Sequence, residues 1–474
     1  MSFDLVLFGG TGDLAWRKLM PALFQAFRHG TLPAGGRIIG VARDNLSDTQ
    51  YRDLIRTRFS EVEGSKRPSD EEFGRFAGLL HFLRMDLSKP EDFSRLKSLL
   101  AERNADVVVM YLATAPSLFM PAVEQLAAAG LNTPQVRLVL EKPLGHDLAS
   151  NHQINEAVRR VLSERQIFRI DHYLGKPSVQ NLFAMRFGNA LFEPVWRRET
   201  ISSIQITIAE DLGVEKRGTF YDQTGTLRDM VQNHALQLLC AVAMEPPINA
   251  HADAIRDEKL KVLRSLKPWT PEALSQHAVR GQYTGYREEP GVSPDSRTET
   301  FVALRAEIAN WRWAGVPFYI RTGKRLAERD ARIVVNYRAA PHAIYQSPTG
   351  SANKLVIHLQ PKDGLELHLL AQGQEGRRGA QQLTPVHLDL DFDTRFGAER
   401  VGAYERLLLD VINGRLNLFV RSDEQEEAWR WVEPVIETWA ADESGPRPYA
   451  PGSWGPSASS AMIARDGNCW AEEA

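Results

Sequence analysis

Two short segments hold the densest chemistry in this chain. FRIDHYLGK, Phe168 to Lys176, begins as a short strand and then offers an acid, an imidazole, an aromatic hydroxyl, a glycine and an amine between Asp171 and Lys176. Turns also carry Asp, Gly and Lys for structural reasons alone, so the segment by itself leaves both readings open. The second segment is RGTFYDQTGTLRDMVQNHALQLLCAVAM, in which Leu227, Met230, Val231, His234, Leu238 and Ala241 fall on one helical face. That stripe by itself describes a core histidine satisfied by one hydrogen bond. The adjoining Asp229, Gln232 and Asn233 place the imidazole at the edge of a polar cluster, although Asp229, three residues after Thr226, also suits a helix cap.

The elements before these segments are those of a dinucleotide fold. Runs at Phe3 to Phe8, Arg37 to Ala42, Asp106 to Ala113 and Val136 to Lys142 are rich in Val, Ile and Leu on both faces and are separated by helical stretches. This predicts parallel strands buried from both sides. SEVEGSKRPSDEE, Ser60 to Glu72, reads as a surface excursion. After the first strand, Gly10, Gly12 and Ala15 match the Ala-ended glycine turn that brings backbone N–H groups of a helix N-terminus onto a pyrophosphate. Asp13 and Leu14 within the turn are more specific than the glycines, while Lys18 alone reads as a solvated helix lysine. Arg43, at the tip of the second strand, can fork onto a ribose 2′-phosphate and favours NADP; the adjacent Asp44 could instead serve a 2′-hydroxyl. VRLVLEKPLG delivers Glu141, Lys142 and Pro143 to a strand's carboxyl end, where Lys142 is either a ligand donor or a solvated strand end.

Beyond Lys176 the apolar period becomes two. ISSIQITIAED, TETFVALRAEI, RIVVNYR, KLVIHLQP, GLELHLL and VHLDLDF predict an antiparallel sheet with one packed and one freer face, covered by helices at about Glu399 to Gly414 and Asp423 to Ala441. Glu210 and Asp211 end a strand, where a carboxylate could accept sugar hydroxyls or simply face solvent. Lys324, Arg325 and Arg329 share one loop, a solvated basic face or a phosphate ligand set. The expected fold is an α/β Rossmann-type dinucleotide-binding domain, residues 1–172, followed by a larger α+β domain with a mostly antiparallel sheet, residues 173–474.

The bulk composition excludes several classes. A net charge of −3, from 57 basic and 60 acidic residues, gives no field for nucleic acid or membrane surfaces. No apolar run approaches spanning length, and a first strand beginning at Phe3 leaves no room for a cleavable leader. Only Cys240 and Cys469 are present, which suits a reducing compartment, and a cytoplasmic protein is expected. C₂ pairing through the freer sheet face would give a homodimer or a dimer of dimers.

GGTGDLA, EKPLG, RIDHYLGK, FYDQTGTLRDMVQNH and VPFYIRTGK together resemble the glucose-6-phosphate dehydrogenase family, over a match running from Gly9 to Pro456. The resemblance implies an NADP-dependent oxidoreductase that converts β-D-glucose 6-phosphate to 6-phosphoglucono-δ-lactone; Asp44 and the loop from Ala113 to Pro116 leave NAD open as a second coenzyme, and no metal is expected. It implies His234 as the general base and Asp171 as the carboxylate that orients it. It further implies a substrate set of His172, Tyr173, Lys176, Glu210, Asp229, Lys324, Arg329 and Lys142. The implied coenzyme set is Gly9, Gly10, Thr11, Gly12, Asp13, Leu14, Ala15, Lys18, Arg43, Asp86 and Lys142. Pro177 and Thr219-Phe220 depart from the family's commoner residues without removing any of these groups, while the variant loop from Ala113 to Pro116 bears on coenzyme geometry. Two other readings fit fewer residues. Another sugar dehydrogenase with an EKP segment would lack RIDHYLGK, and a non-catalytic NADPH sensor would have no need of His234 and Asp171.

Overall fold

Runs of Val, Ile, Leu and Phe with both faces buried form the six parallel strands of the first sheet: β1 Phe3–Phe8, β2 Gly36–Ala42, β3 Leu80–Arg84, β4 Val107–Leu112, β5 Val136–Leu140 and β6 Ile167–Ile170. The computed structural model describes residues 1–61, 67–342, 344–345, 353–372, 383–397 and 401–473. The strand order is β6-β5-β4-β1-β2-β3, with Phe419–Val420 added antiparallel to β6. The order reverses between β1 and β4, which makes the carboxyl ends of those strands the ligand crevice of an open parallel sheet. Val6, Phe8, Ile39, Met110, Leu138 and Val158 belong to the core beneath it.

Two expectations need correcting in this unit. The amphipathic stretch expected on the second sheet forms the helix Ala403–Asn413, which packs instead on the helix Met20–Arg28 of the first unit. Its stripe of Leu407, Leu408, Val411 and Ile412 says only that the helix is buried; the polar contacts decide where. Arg137 of β5 donates to the carbonyls of Val411 and Ile412 at 2.6 Å each, and Glu405 lies 2.7 Å from His29 Nδ1. Residues 399 and 400 of the expected helix lie outside the described residues. So do 62–66 of the expected excursion, whose last residues open the helix Asp70–Ala77 through a Ser69 capping box.

The second unit comprises Lys176–Ile248, Asp257–Arg400 and Glu427–Ala474, whereas the first comprises Met1–Gly175, Asn249–Arg256 and Val401–Glu426. The period-two segments form β7 Ile201–Ala209, β8 Ala278–Tyr283, β9 Phe301–Glu307, β10 Pro317–Gly323, β11 Asp330–Tyr337, β12 Lys354–Gln360, β13 Gly364–Gln372 and β14 Leu383–Asp391. Their order is β14-β13-β12-β11-β7-β10-β9-β8, followed by Arg447–Tyr449. Pairing is mostly antiparallel, with β7 and β10 parallel and Arg447–Tyr449 parallel to β8. Ile204, Ile206 and Ile208 are fully buried, as their alternation predicts.

The opposite face of β7 is not the freer one expected. Ser203, Gln205 and Thr207 are also buried, because the chain's end returns over them: Gln205 Nε2 donates to Cys469 O at 2.8 Å and Ala471 N–H to Gln205 Oε1 at 3.1 Å. Exposure is concentrated at β13 and β14, where Val386, Leu388 and Leu390 stand uncovered. Among the described residues no helix is long and apolar enough to cross a membrane.

Candidate active site

The glycine turn of the first unit is tight by construction. Gly9 has φ +87°, a left-handed conformation that a Cβ would strain, and Gly10 lies so close to β2 that a Cβ would meet Gly40 Cα at 2.6 Å. The N–H groups of Gly9 and Gly10 both donate to Val41 O, and Gly12 N–H donates to Gly9 O at 2.9 Å. Ala15–Leu19 forms a π-helical turn before the helix Met20–Arg28, with Ala15 and Leu19 buried and Lys18 exposed. Asp13 pairs with Arg17 at 2.8 Å on the surface. Replacing Gly10 by Ala is expected to destabilise the fold by about 1–3 kcal/mol through overpacking, read as a lower denaturant midpoint; an unchanged midpoint would contradict this tight approach.

A cavity of about 690 Å³ opens at the carboxyl ends of these strands, and Gly9, Thr11, Arg43, Asp44, Asp86 and Thr114 help line it. Thr11 Oγ1 donates to Asp44 Oδ2 at 2.8 Å, one of several hydrogen bonds that a carboxylate can accept. Asp86 accepts both the N–H (3.0 Å) and the hydroxyl (2.8 Å) of Ser88, and these bonds hold its carboxyl below the usual range.

Lys142 follows β5 and precedes Pro143 through a cis peptide bond. Beside it, Glu141 is buried and accepts the Tyr111 hydroxyl at 2.5 Å, with Tyr404 as a further hydrogen-bond partner. Burial pushes the Glu141 carboxyl up, although Tyr111, Lys142 and Tyr404 oppose that shift. The Tyr404 ring stacks on His172, centroids 6.0 Å apart and planes 14° apart. A buried polar chain joins the EKP loop to β6: Asn151 Nδ2 donates to Leu144 O (2.7 Å), Asn155 Nδ2 to Asn151 Oδ1 (3.0 Å) and Arg169 Nε to Asn155 Oδ1 (2.9 Å). Arg169 also pairs with Glu164 at 2.5 Å. These fully satisfied bonds hold the backbone that presents Asp171, His172 and Tyr173, where Tyr173 N–H donates to Asp171 Oδ1 at 3.0 Å. Asp171 and Tyr173 are buried, and His172 is half-buried.

In the second unit, Lys176 stands at the N-terminal boundary of the helix Pro177–Gly188, and its Nζ donates to Gln360 Oε1 at 2.7 Å. Pro177 occupies the first helical position, where its missing N–H would have had no intrahelical acceptor. Lys324 is buried, ion-paired with Glu210 and 5.1 Å above the Tyr221 ring. Arg329 is exposed in the same loop, away from that pair in burial.

The His234 segment is a π-helix, Leu227–Ala235, rather than a regular α-helix. The expected stripe is buried, with His234 1% exposed and Asp229 buried on the adjoining turn. Asn233 Oδ1 accepts the His234 N–H at 2.6 Å while its Nδ2 donates to Arg228 O at 3.0 Å, which locks the turn that carries the imidazole. Thr226 makes no cap: its hydroxyl donates to Glu299 O at 3.0 Å, and the Glu299 carboxylate accepts the Leu227 N–H at 2.9 Å. Burial pushes the Tyr221 hydroxyl far up, and the charge of Asp229 adds to the shift.

Residues 6–181 match the family model described as glucose-6-phosphate dehydrogenase, NAD binding domain, and residues 183–471 match the corresponding C-terminal domain. The chain belongs to the glucose-6-phosphate dehydrogenase family. Glucose-6-phosphate 1-dehydrogenase of Rhizobium meliloti (strain 1021) is 47% identical over 482 residues, covering 99% of this chain and 97% of the relative. The enzyme of that name from Mycolicibacterium smegmatis is 48% identical, covering 98% of this chain and 97% of the relative. A solved glucose-6-phosphate dehydrogenase in complex with its substrate glucose-6-phosphate superposes with a TM-score of 0.90 at 32% identity, covering 99% of this chain and 98% of that one.

For a member of the glucose-6-phosphate dehydrogenase family, three residues in these clusters escaped the sequence reading. Gln360 stands 184 positions from the lysine it bonds, and Tyr111 and Tyr404 meet Glu141 from other elements. No local spacing signals such partners; only the strand ends that carry Glu141 and Gln360 mark places where ligands gather.

Proposed function

We propose that this chain oxidises β-D-glucose 6-phosphate at C1 to 6-phosphoglucono-δ-lactone, using NADP in preference to NAD. The observation that carries the reading is the buried imidazole of His234 on a locked helical turn beside Asp229, in a chain of this family. His234 takes the C1 hydroxyl proton, and Asp171 orients the imidazole and steadies its positive form. Lys176 and His172 hold the phosphate with Tyr173, Lys324 and Arg329 near it, while Glu210 and Asp229 accept sugar hydroxyls. Lys142 donates between coenzyme and sugar. The coenzyme, when bound, supplies the hydride acceptor at C4 of its nicotinamide.

The first unit fits such a coenzyme. Gly9 and Gly10 leave no room for side chains at the turn, and Gly9 and Thr11 line the cavity assigned to the dinucleotide, to which the family resemblance adds Gly12, Asp13, Leu14, Ala15 and Lys18. Arg43 lines the same cavity and offers its guanidinium to a 2′-phosphate, with Asp44 and Asp86 beside it. Arg43→Ala is expected to raise KM for NADP by about 10–100-fold, the loss of charge-assisted hydrogen bonds, with KM for NAD changed little. Equal losses for both coenzymes would remove Arg43 from 2′-phosphate recognition.

The enzyme acts in the cytoplasm as a homodimer or dimer of dimers formed through the uncovered face of β13 and β14, a reading supported by the exposure of Val386, Leu388 and Leu390 and by the scarcity of cysteine. Leu388, 62% exposed, makes the test. Leu388→Asp should sediment as a monomer, and an unchanged sedimentation coefficient would place the interface elsewhere. The reaction itself is tested with glucose 6-phosphate deuterated at C1. Deuterium must appear in the reduced nicotinamide; label retained in the sugar product would sink the assignment of C1.

A further inference from the structure

The rim of the dinucleotide cavity carries carboxylates as well as a guanidinium. Arg43 and Asp44, after β2, and Asp86 and Ser88, after β3, line it together. The two strands are parallel neighbours with Ala42 opposite Arg84, and Met85 N–H donates to Ala42 O at 2.8 Å. Arg43 and Asp86 are the residues that follow this bond on either side, so the two strand ends deliver opposite charges to one place. Arg43 is exposed and, among the described residues, makes no hydrogen bond.

Asp86 is held in a fixed attitude. Its Oδ1 accepts both the N–H and the hydroxyl of Ser88, and its own N–H donates to Asp92 Oδ2 at 2.8 Å. The Ser88 bonds, with smaller help from the charges of Lys89 and Arg43, hold the carboxyl below its usual range, so it is ionised at neutral pH. Its Oδ2 accepts no bond from any described residue. Asp44 is arranged alike: Oδ2 accepts the Thr11 hydroxyl, and Oδ1 accepts no bond from any described residue.

These groups suit two different coenzymes. The guanidinium of Arg43 suits a 2′-phosphate, which brings negative charge and no donor at neutral pH. Carboxylate oxygens suit a ribose diol, whose hydroxyls need acceptors, and they repel a phosphate. Discrimination is a difference of affinities, so a fixed repulsive group counts as much as an attractive one.

We infer that Asp86 is a specificity-determining residue that opposes the 2′-phosphate, accepting a ribose hydroxyl of NAD and repelling NADP. The inference rests on the coenzyme reading above and sharpens it. NADP leads through Arg43, Asp86 holds that lead down, and NAD serves as a second coenzyme.

The test is fluorescence titration of the purified chain with NADPH and, separately, with NADH, in the absence of sugar. Asp86→Asn should tighten NADPH about three- to tenfold and weaken NADH by a similar factor, the scale of one unit charge at a hydrated rim. The amide keeps an oxygen for Ser88, so the melting midpoint should be retained. Asp44→Asn, the second variant, should move both constants in the same directions. Asp86→Glu keeps the charge and should leave the ratio of the two constants near that of the wild type. A ratio unmoved by Asp86→Asn, or moved as far by Asp86→Glu, would overturn the role of Asp86 alone. A wild-type chain that binds neither reduced coenzyme would overturn the coenzyme reading and this inference with it.

Discussion

His234→Asn is expected to lower kcat for glucose 6-phosphate oxidation by about 10²–10⁴-fold, the usual contribution of a positioned general base. Hydride can leave C1 only as the hydroxyl proton departs, and no water-exposed group substitutes for a base that is 1% exposed. Asn has nearly the imidazole's reach and can keep one hydrogen bond, so the buried stripe of Leu227, Met230, Val231 and Leu238 should keep its packing. Dissociation constants for NADPH and for glucose 6-phosphate should therefore stay within a few-fold of the wild type. A kcat within threefold of the wild type would remove His234 from the chemistry. A collapse of both affinities with an altered far-ultraviolet spectrum would instead make it the core histidine that its helical stripe also permits.

Lys176→Gln should raise KM for glucose 6-phosphate by about 10–100-fold, from the loss of a charge-assisted contact to phosphate. Its effect on kcat should be much smaller, because the phosphate is remote from C1 and serves to hold the sugar in place. The amine is half-buried, aimed by Gln360 at 2.7 Å, and set at the start of a helix whose N-terminal end favours anions. Unphosphorylated glucose, which never engages that amine through phosphate, should react equally poorly with wild type and variant. If the variant lost activity toward both sugars in parallel, Lys176 would be a structural partner of Gln360 and not a phosphate ligand.

The parts of this fold that were legible in the sequence are those set by local period. Val and Ile runs buried on both faces gave away the parallel sheet, and the strict alternation of Ile204, Ile206 and Ile208 gave away the antiparallel one. The glycine turn was legible because no side chain fits between Gly10 and Gly40. What escaped depends on partners distant in sequence. The stripe on Ala403–Asn413 announces burial but not against which sheet, and Arg137, far earlier in the chain, decides it. The polar alternate positions of β7 predicted a freer face, yet the chain's last residues cover Gln205.

The candidate site divides in the same way. His234, Asp171 and Lys176 are singled out in the sequence by two short segments rich in reactive types, and their roles rest on the family resemblance. Gln360, Tyr111 and Tyr404 are not singled out, since each works through a contact made by another element.

The most direct measurement of the central claim is absorbance at the reduced-nicotinamide band when the purified chain is mixed with glucose 6-phosphate and NADP. Parallel reactions replace NADP by NAD and glucose 6-phosphate by glucose. The account predicts rapid reduction with glucose 6-phosphate and NADP, slower reduction with NAD, and little with unphosphorylated glucose. Coenzyme that binds without being reduced in the presence of glucose 6-phosphate, or equal rates with and without the phosphate, would contradict it.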